Sequence, residues 1–429
     1  MWRPTLIATI TALAWGGCKR ETDQPSPGFE ISGIYFTPEE IDTISSLSPV
    51  PERPPSPTNR FADNPAAAQL GQFLFYDTRL SENGEVSCAT CHQPDQGWSD
   101  GKTVSEGLET VTRNAPTLFN LAFSRWFFWD GRKDSLWSQS LGPIEADKEM
   151  GGSRLQTYHL IAEDADLRSA YEKVFGTVPD LEIVQPPRSG FPSEDASAPM
   201  SQAWASLSES DQERVNHVFA HVGKAIEAYE RRLISTDSPF DTFVAKLKER
   251  ATESMPLSVA ATRGLKIFVG NGQCTFCHSG PQFNDLEFHN IGLDRGEFGL
   301  DTGRYDAVNA VKRDPFNGLG PYSDDRTLEG NKALFFVALK PNNLGEFKTP
   351  TLRNIAQTAP YMHDGRFSTL AEVVQFYSEL NQEPALGHRE ETLIPLGLSP
   401  QDIDDLVAFL ETLTGKPLPD ELLRQPDRP

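Results

Sequence analysis

The chain has 429 residues, enough for two or three domains with buried cores. Hydrophobic content of 38% and charged content of 23% are ordinary for a soluble globular protein. The formal net charge of −22 argues against nucleic acid and against an anionic membrane surface as electrostatic partners, and is compatible with a basic protein partner.

Residues 1–18 read as an export signal. Arg3 is a thin basic start, Leu6 to Trp15 is an apolar run too short to span a bilayer, and Gly16-Gly17-Cys18 follows. The small residues before Cys18 resemble a lipoprotein cleavage site, although Trp15 stands where an aliphatic residue is usual. Two readings stay open: a lipid on Cys18, which would be the only membrane contact, or ordinary export with cleavage nearby. Both place the mature protein outside the cytoplasm, in the periplasm. Residues 19–60 are rich in Pro, Ser and acidic side chains and read as an extended tether.

Residues 61–240 are the first of two expected domains. Ala67, Leu70, Leu74 and Phe75 recur at helical spacing. That helix leads into Cys88-Ala-Thr-Cys91-His92. Residues 241–420 are the second domain and repeat the scheme. Gly264 and Phe268 stand before Cys274-Thr-Phe-Cys277-His278 as Gly71 and Phe75 stand before the first motif. Each motif reads C-x-x-C-H, the attachment pattern of c-type haem. Two thiols at this spacing reach the two vinyl groups of one porphyrin, and the adjacent histidine reaches the iron. A thioredoxin-like redox pair does not need the histidine. A zinc site wants its four cysteines close together. The motifs use every cysteine except Cys18, so two covalently bound haems are expected and no structural disulfide.

A further repeat follows the motifs. Arg113-Asn114-Ala115-Pro116-Thr117-Leu118 is echoed by Lys348-Thr349-Pro350-Thr351-Leu352, and Trp129-Asp130-Gly131-Arg132 by His363-Asp364-Gly365-Arg366. Both echoes share one offset, 350 − 116 = 363 − 129 = 234. The haem motifs are offset by only 274 − 88 = 186, so the second half carries about 48 extra residues (234 − 186) within 280–347, a stretch rich in Gly, Asp and Asn. Val215 to Ile234 reads as a long amphipathic helix closing the first half. Ser399 to Leu413 reads as its counterpart, with Ser399 as N-cap. Leu181 to Met200 reads as a surface excursion. No run of alternating strands is present. The expected fold is all-α: two tandem cytochrome c-like haem domains with an irregular insertion in the second.

His92 and His278 each fill one axial position of an iron. The other position decides whether a haem binds a small molecule or only carries electrons. Met362, His363 and Tyr377 follow the second Pro-Thr-Leu element as candidate ligands. Position 377 maps back by 234 onto Pro143, and a proline side chain cannot ligate iron. If Tyr377 faces its haem, Pro143 faces the other and leaves it open. Glu149 lies a few residues beyond, with Glu145 as a weaker candidate. A carboxylate there would move a proton between the two oxygens of H2O2. By composition alone the same stretch reads as a solvated acidic loop.

As a set, these residues resemble the bacterial di-haem cytochrome c peroxidase family, from about Asn64 to Gly415. The resemblance rests on the two haem motifs, Arg113-Asn114-Ala115-Pro116-Thr117, Phe128-Trp129-Asp130-Gly131-Arg132, Gly142-Pro143-Ile144 with Glu149-Met150, and Thr349-Pro350-Thr351-Leu352-Arg353-Asn354 running into Ala359-Pro360-Tyr361-Met362-His363-Asp364-Gly365. It implies a peroxidatic first haem with Glu149 as its distal acid, and a second haem that stores or relays electrons. It places Trp129 between the haems as a relay; a packed core aromatic is the plainer reading of that residue. It also implies a calcium ion (Ca2+) held by the Asn114 side chain and the carbonyls of Thr358 and Pro360.

Two departures from the conventional branch stand out. That branch places a histidine in the loop after the first motif, blocking that iron; here none lies between His92 and His159. It also uses a methionine on the second haem, where Tyr377 stands here. Both departures are similar to the MauG-type branch, which oxidises residues of a partner protein. A phenolate is a hard anionic donor that lowers the potential of its iron.

The expected function is therefore a di-haem peroxidase acting on H2O2, with a protein electron donor or an oxidised protein target. The alternatives are a conventional cytochrome c peroxidase fed by a small cytochrome, and a non-catalytic electron-transfer cytochrome. His159, His217, His221, His289 and His388 carry no motif. His217 and His221 share an i, i+4 spacing that can bind metal, with solvent or core packing as the plainer reading. His363, the counterpart of Trp129, reads as a supporting residue rather than a ligand.

Overall fold

The computed structural model describes residues 28–251 and 255–429, so the expected export signal, Cys18 and the start of the expected tether lie outside the described residues. Helices and tight turns dominate, as expected. Among the described residues, sheet is confined to two antiparallel pairs: Phe29–Ile31 with Ile34–Phe36, and Phe288–His289 with Phe347–Lys348.

The helix before each haem motif forms for local reasons. Pro65–Tyr76 starts at Asn64, whose side chain accepts from the N–H groups of Ala66 and Ala67, with Pro65 in the first turn. Val259–Val269 starts at Ser258, which accepts from Ala261 N–H. The closing helices are capped in the same way. Glu209–Glu230 begins six residues before the expected Val215, because Ser208 supplies the cap. Pro400–Glu411 begins at the expected Ser399, in a capping box with Asp402.

Each leading helix crosses its closing helix backbone to backbone at a glycine. A Cβ added at Gly71 would lie 1.8 Å from the Ala225 carbonyl oxygen, and one at Gly264 would lie 1.9 Å from that of Asp405. No other residue permits so close an approach. Around the first crossing gathers a core that includes Leu74, Phe75, Trp137, Leu141, Val218, Val222 and Tyr229. Around the second gather Phe240, Phe243, Leu265, Phe268, Leu406, Phe409 and Leu413. Each such apolar side chain contributes about 1.5–3 kcal/mol by leaving water.

Two stretches depart from the expected layout. Residues 29–47 are not a tether: they fold as a hairpin and the helix Pro38–Ser46, and Ile31, Phe36, Ile41, Ile44 and Leu47 enter the second core. The apolar face of that helix was hidden in a Pro-rich, acidic composition. The insertion, expected to be irregular, carries the helix Arg304–Arg313, and its Phe316 and Tyr322 enter the first core. Lys224 reaches Asp324 at 2.7 Å and Lys133 pairs with Asp314, so ion pairs also pin the insertion to the first half. The C-terminal Leu422 joins the first core as well, its carbonyl accepting from the Tyr229 hydroxyl at 2.6 Å.

The 234-residue register survives in three dimensions. The helix Leu136–Glu145 has its counterpart in Leu370–Glu379, capped at Ser135 and Thr369, each exactly matched by 370 − 136 = 369 − 135 = 234. Asn120 (φ 61°) and Asn354 (φ 60°) take the same left-handed turn in front of the short helices Leu121–Phe123 and Ile355–Gln357.

Candidate active site

The two haem motifs adopt equivalent geometry. Cys88–Cys91 forms one helical turn and His92 N–H donates to the Cys88 carbonyl at 3.0 Å. His278 N–H donates to the Cys274 carbonyl at 2.9 Å in the same way. Trp98 (φ 62°) and Phe283 (φ 50°) are left-handed, and their carbonyls meet the Nδ1 atoms of His92 at 3.0 Å and His278 at 2.9 Å. A carbonyl can only accept, so Nδ1 carries the proton and Nε2 keeps the lone pair. Burial lowers the pKa of both imidazoles and keeps them neutral. A neutral histidine with its tautomer fixed by a backbone carbonyl is what axial ligation of iron requires.

Both motifs open onto one continuous cavity of about 900 Å³. Cys91, His92, Cys274, Cys277 and His278 line it, while Cys88 packs against the first core beside them. The cavity walls also carry Pro143, Glu149, Trp129 and Tyr377, so the structure brings the expected site residues together. The residues present therefore fit two covalently held haems.

Pro143 and Tyr377 occupy the same register on the matched helices Leu136–Glu145 and Leu370–Glu379. Tyr377 is partly buried, and burial raises the pKa of its phenol, with the nearby Cys277 and Cys274 adding to the rise. Only a cation against that oxygen would ionise it. Met362 and His363, the other candidate ligands, also line the cavity. His363 stacks on Phe347, with ring centroids 3.6 Å apart.

Glu149 sits in the turn that ends the Pro143 helix. Its N–H donates to the Ala146 carbonyl and its carbonyl accepts from Leu108, both at 2.9 Å. Gly107 is required there, because a Cβ on it would lie 2.3 Å from the Glu149 carbonyl oxygen. Burial raises the Glu149 pKa, opposed by the charge of Arg132. Arg132 is itself held by Asp130 at 3.1 Å and lies 3.5 Å from the centre of the Phe128 ring. Glu145, the weaker candidate, is bound by Arg154 at 2.7 and 2.8 Å and does not line the cavity.

The Trp129 indole N–H donates to the Asn114 carbonyl at 2.9 Å. Asn114, Thr358 and Pro360 all face the cavity, and the Asn114 amide donates to Lys102 at 2.8 Å, which leaves its Oδ1 for another partner. Sequence reasoning missed Gln139, which lines the cavity one turn before Pro143. The i, i+4 spacing on that helix was the signal that could have found it.

Four of the five remaining histidines have identified partners. His159 meets Glu163 and the Pro187 carbonyl at 2.9 Å each. His221 stacks on Phe175 and meets the Tyr171 hydroxyl at 2.7 Å, while His217 pairs with Glu213 at 3.2 Å. His289 is held by Asp285 at 2.8 Å and Glu390 at 2.9 Å. Cys277, Asp285 and His289 cluster closely enough for a metal ion, but Cys277 is a haem-attachment thiol.

A family profile described as di-haem cytochrome c peroxidase matches residues 65–249. The chain is 33% identical over 359 residues to cytochrome-c peroxidase IdrP2 of Denitromonas iodatirespirans, covering 83% of this chain and 84% of that protein. It is 32% identical over 356 residues to the methylamine utilization protein MauG of Methylorubrum extorquens, covering 82% and 79%. Among solved structures, a MauG-like protein associated with microbial copper homeostasis superposes with a TM-score of 0.61 at 27% identity, covering 88% of this chain and 99% of that one. The cysteine-histidine motifs, their shared cavity and these relatives agree: the chain belongs to the bacterial di-haem cytochrome c peroxidase family, which includes MauG, and is a haem-dependent oxidoreductase.

Proposed function

We propose that the chain is a MauG-like periplasmic peroxidase that reduces H2O2 at an open first haem and passes oxidising equivalents through the second to a protein. The observation that carries this reading is the shared register of Pro143 and Tyr377 on two helices of identical length. One position offers no ligand atom; the other offers a phenol in the cavity wall.

When bound, each c-type haem supplies an iron that exchanges single electrons, and an open axial position also admits peroxide. Glu149 would take a proton from one peroxide oxygen and return it to the other, with the two electrons that cleavage to water requires drawn from the two bound haems. Its burial supports this role, because desolvation raises the pKa of the carboxyl and so favours its holding a proton, with the charge of Arg132 opposing that rise. Trp129, pinned at both its indole N–H and its carbonyl, serves as the relay between the two halves. The oxygens of Asn114, Thr358 and Pro360 would suit calcium, a hard cation that takes amide and carbonyl oxygens. Export, with or without a lipid on Cys18, completes the reading.

A second reading, a conventional cytochrome c peroxidase, is favoured by relatives of that name, including cytochrome c551 peroxidase of Pseudomonas aeruginosa at 31% identity. Low-temperature EPR of the resting ferric protein separates the readings. One high-spin haem and one low-spin haem lacking a methionine signature support the MauG-like assignment. Two low-spin haems, one of them methionine-ligated, would overturn it.

A further inference from the structure

Lys348 is a partly buried charge that the proposed chemistry leaves unused. Its backbone is held firmly: it pairs with Phe288 across the short ladder, and its N–H donates to the Trp129 carbonyl at 2.8 Å. Its side chain faces the cavity that both haem motifs line. Among the described residues, no hydrogen bond or ion pair engages Nζ, and no neighbouring charge acts on it. Burial by itself pushes the ammonium down to about 8.

Most of the chain's other buried cations meet a carboxylate, while Arg304 donates instead to the carbonyls of Asp130 and Gly131. Arg113 is held by Asp130 and Asp301, Arg353 by Asp241, Arg154 by Glu145 and Lys224 by Asp324. An ammonium taken out of water without an anion costs several kcal/mol. Lys348 Nζ has neither a carboxylate nor a carbonyl partner among the described residues, so a group filling the cavity is the natural source of its anion. A haem carries two propionate carboxylates.

We propose that Lys348 is the counter-ion of a propionate on the haem attached through Cys274, Cys277 and His278. The choice of haem follows from the chain: Pro350, two residues on, turns its carbonyl toward the His278 ring. The corresponding pair in the first half is Asn114 and Pro116, the latter facing His92. There the cation is replaced by a neutral amide. At this one register the chain thus places a lysine in the second half and a neutral amide in the first. Beside a carboxylate of the second haem, that charge favours the more electron-rich ferrous iron and offsets part of the effect of a phenolate ligand.

This inference rests on the reading that both haems are bound. The test uses the intact holoprotein and its Lys348→Met, Lys348→Gln and Lys348→Arg variants. Haem content is measured first, then the midpoint of each haem by spectroelectrochemical titration. Lys348→Met is expected to keep two haems and to lower the ferrous-to-ferric ratio of the second haem about tenfold at fixed potential, about 59 mV for one electron. Lys348→Arg is expected to restore the wild-type value, which a merely space-filling role would not do. An unshifted second haem in Lys348→Met, or a shift confined to the first, overturns the assignment. Should Lys348→Met fail to load haem, Lys348→Gln decides by the same two outcomes. Fewer than two haems in the wild-type protein would instead overturn the occupancy reading.

Discussion

The backbone N–H of Lys348 donates to the carbonyl of Trp129 at 2.8 Å, and 234 positions earlier Asn114 N–H donates to the carbonyl of His363 at 2.9 Å. Because 348 − 114 = 363 − 129 = 234, these are one contact made twice with the halves exchanged. That reciprocity is the signature of a two-fold relation, here within a single chain. Trp129 and His363 are its paired residues at the seam. The symmetry extends to side chains such as the Asp130–Arg132 and Asp364–Arg366 pairs, but it breaks at the positions that face the chemistry. The side chains differ at each pair: Trp129 against His363, Asn114 against Lys348, Pro143 against Tyr377. Function is expected where the copies differ, since a symmetric pair of haems could not divide the labour.

Glu149→Gln should keep both haems and lose peroxide turnover by about 10²- to 10⁴-fold, the usual contribution of a positioned proton carrier. Single-turnover decay of added H2O2 is the readout. The same substitution at Glu145 should act through stability, because that carboxylate is already committed to Arg154.

Tyr377→Met should move the second haem toward the spectrum of a His/Met cytochrome and raise its potential. An unchanged ferric spectrum would mean that another group fills that position. Met362 and His363 are then the cavity-lining alternatives to examine.

Gly71→Ala and Gly264→Ala should each destabilise the fold strongly. The added methyls would fall 1.8 Å and 1.9 Å from backbone oxygens, and backbone cannot swing aside as a side chain can. Overpacking of this kind costs typically about 1–3 kcal/mol, and these contacts belong at the upper end. Thermal unfolding of the holoproteins checks the loss, and haem loading after expression checks whether either crossing is needed for attachment.

Asp134 should make stability fall as pH rises. Burial pushes its carboxyl up from 3.8 to about 6, with the Gly318 N–H opposing and Asp314 adding to the rise. A folded pKa above the unfolded one favours the protonated form. That contribution is whole below pH 3.8 and is lost by about pH 6. Its size is about 2–3 kcal/mol for a shift of roughly two units. Asp134→Asn should flatten this part of the stability profile in denaturant unfolding at a series of pH values. A wild-type slope retained in the variant would assign it to another group.

Much of the site was legible because its signals are local. The C-x-x-C-H pairs, the cap at Ser399 and the helical spacing around Leu70 each depend on a few consecutive residues. The shared offset then carried position 377 onto Pro143 without any knowledge of the fold, since equivalent local segments adopt equivalent backbones. Burial and charge pairing were not legible, because they depend on segments far apart in the chain. Glu145 and Glu149 look alike in sequence; Arg154 captures one and leaves the other facing the cavity. Residues 29–47 look like a tether until their few apolar side chains find the second core. Lys348 is one lysine among many until the fold turns it into the cavity with no carboxylate paired to it among the described residues. Local chemistry thus specified where haem is attached and how the halves correspond, and long-range packing decided which charged groups face it and which are neutralised elsewhere.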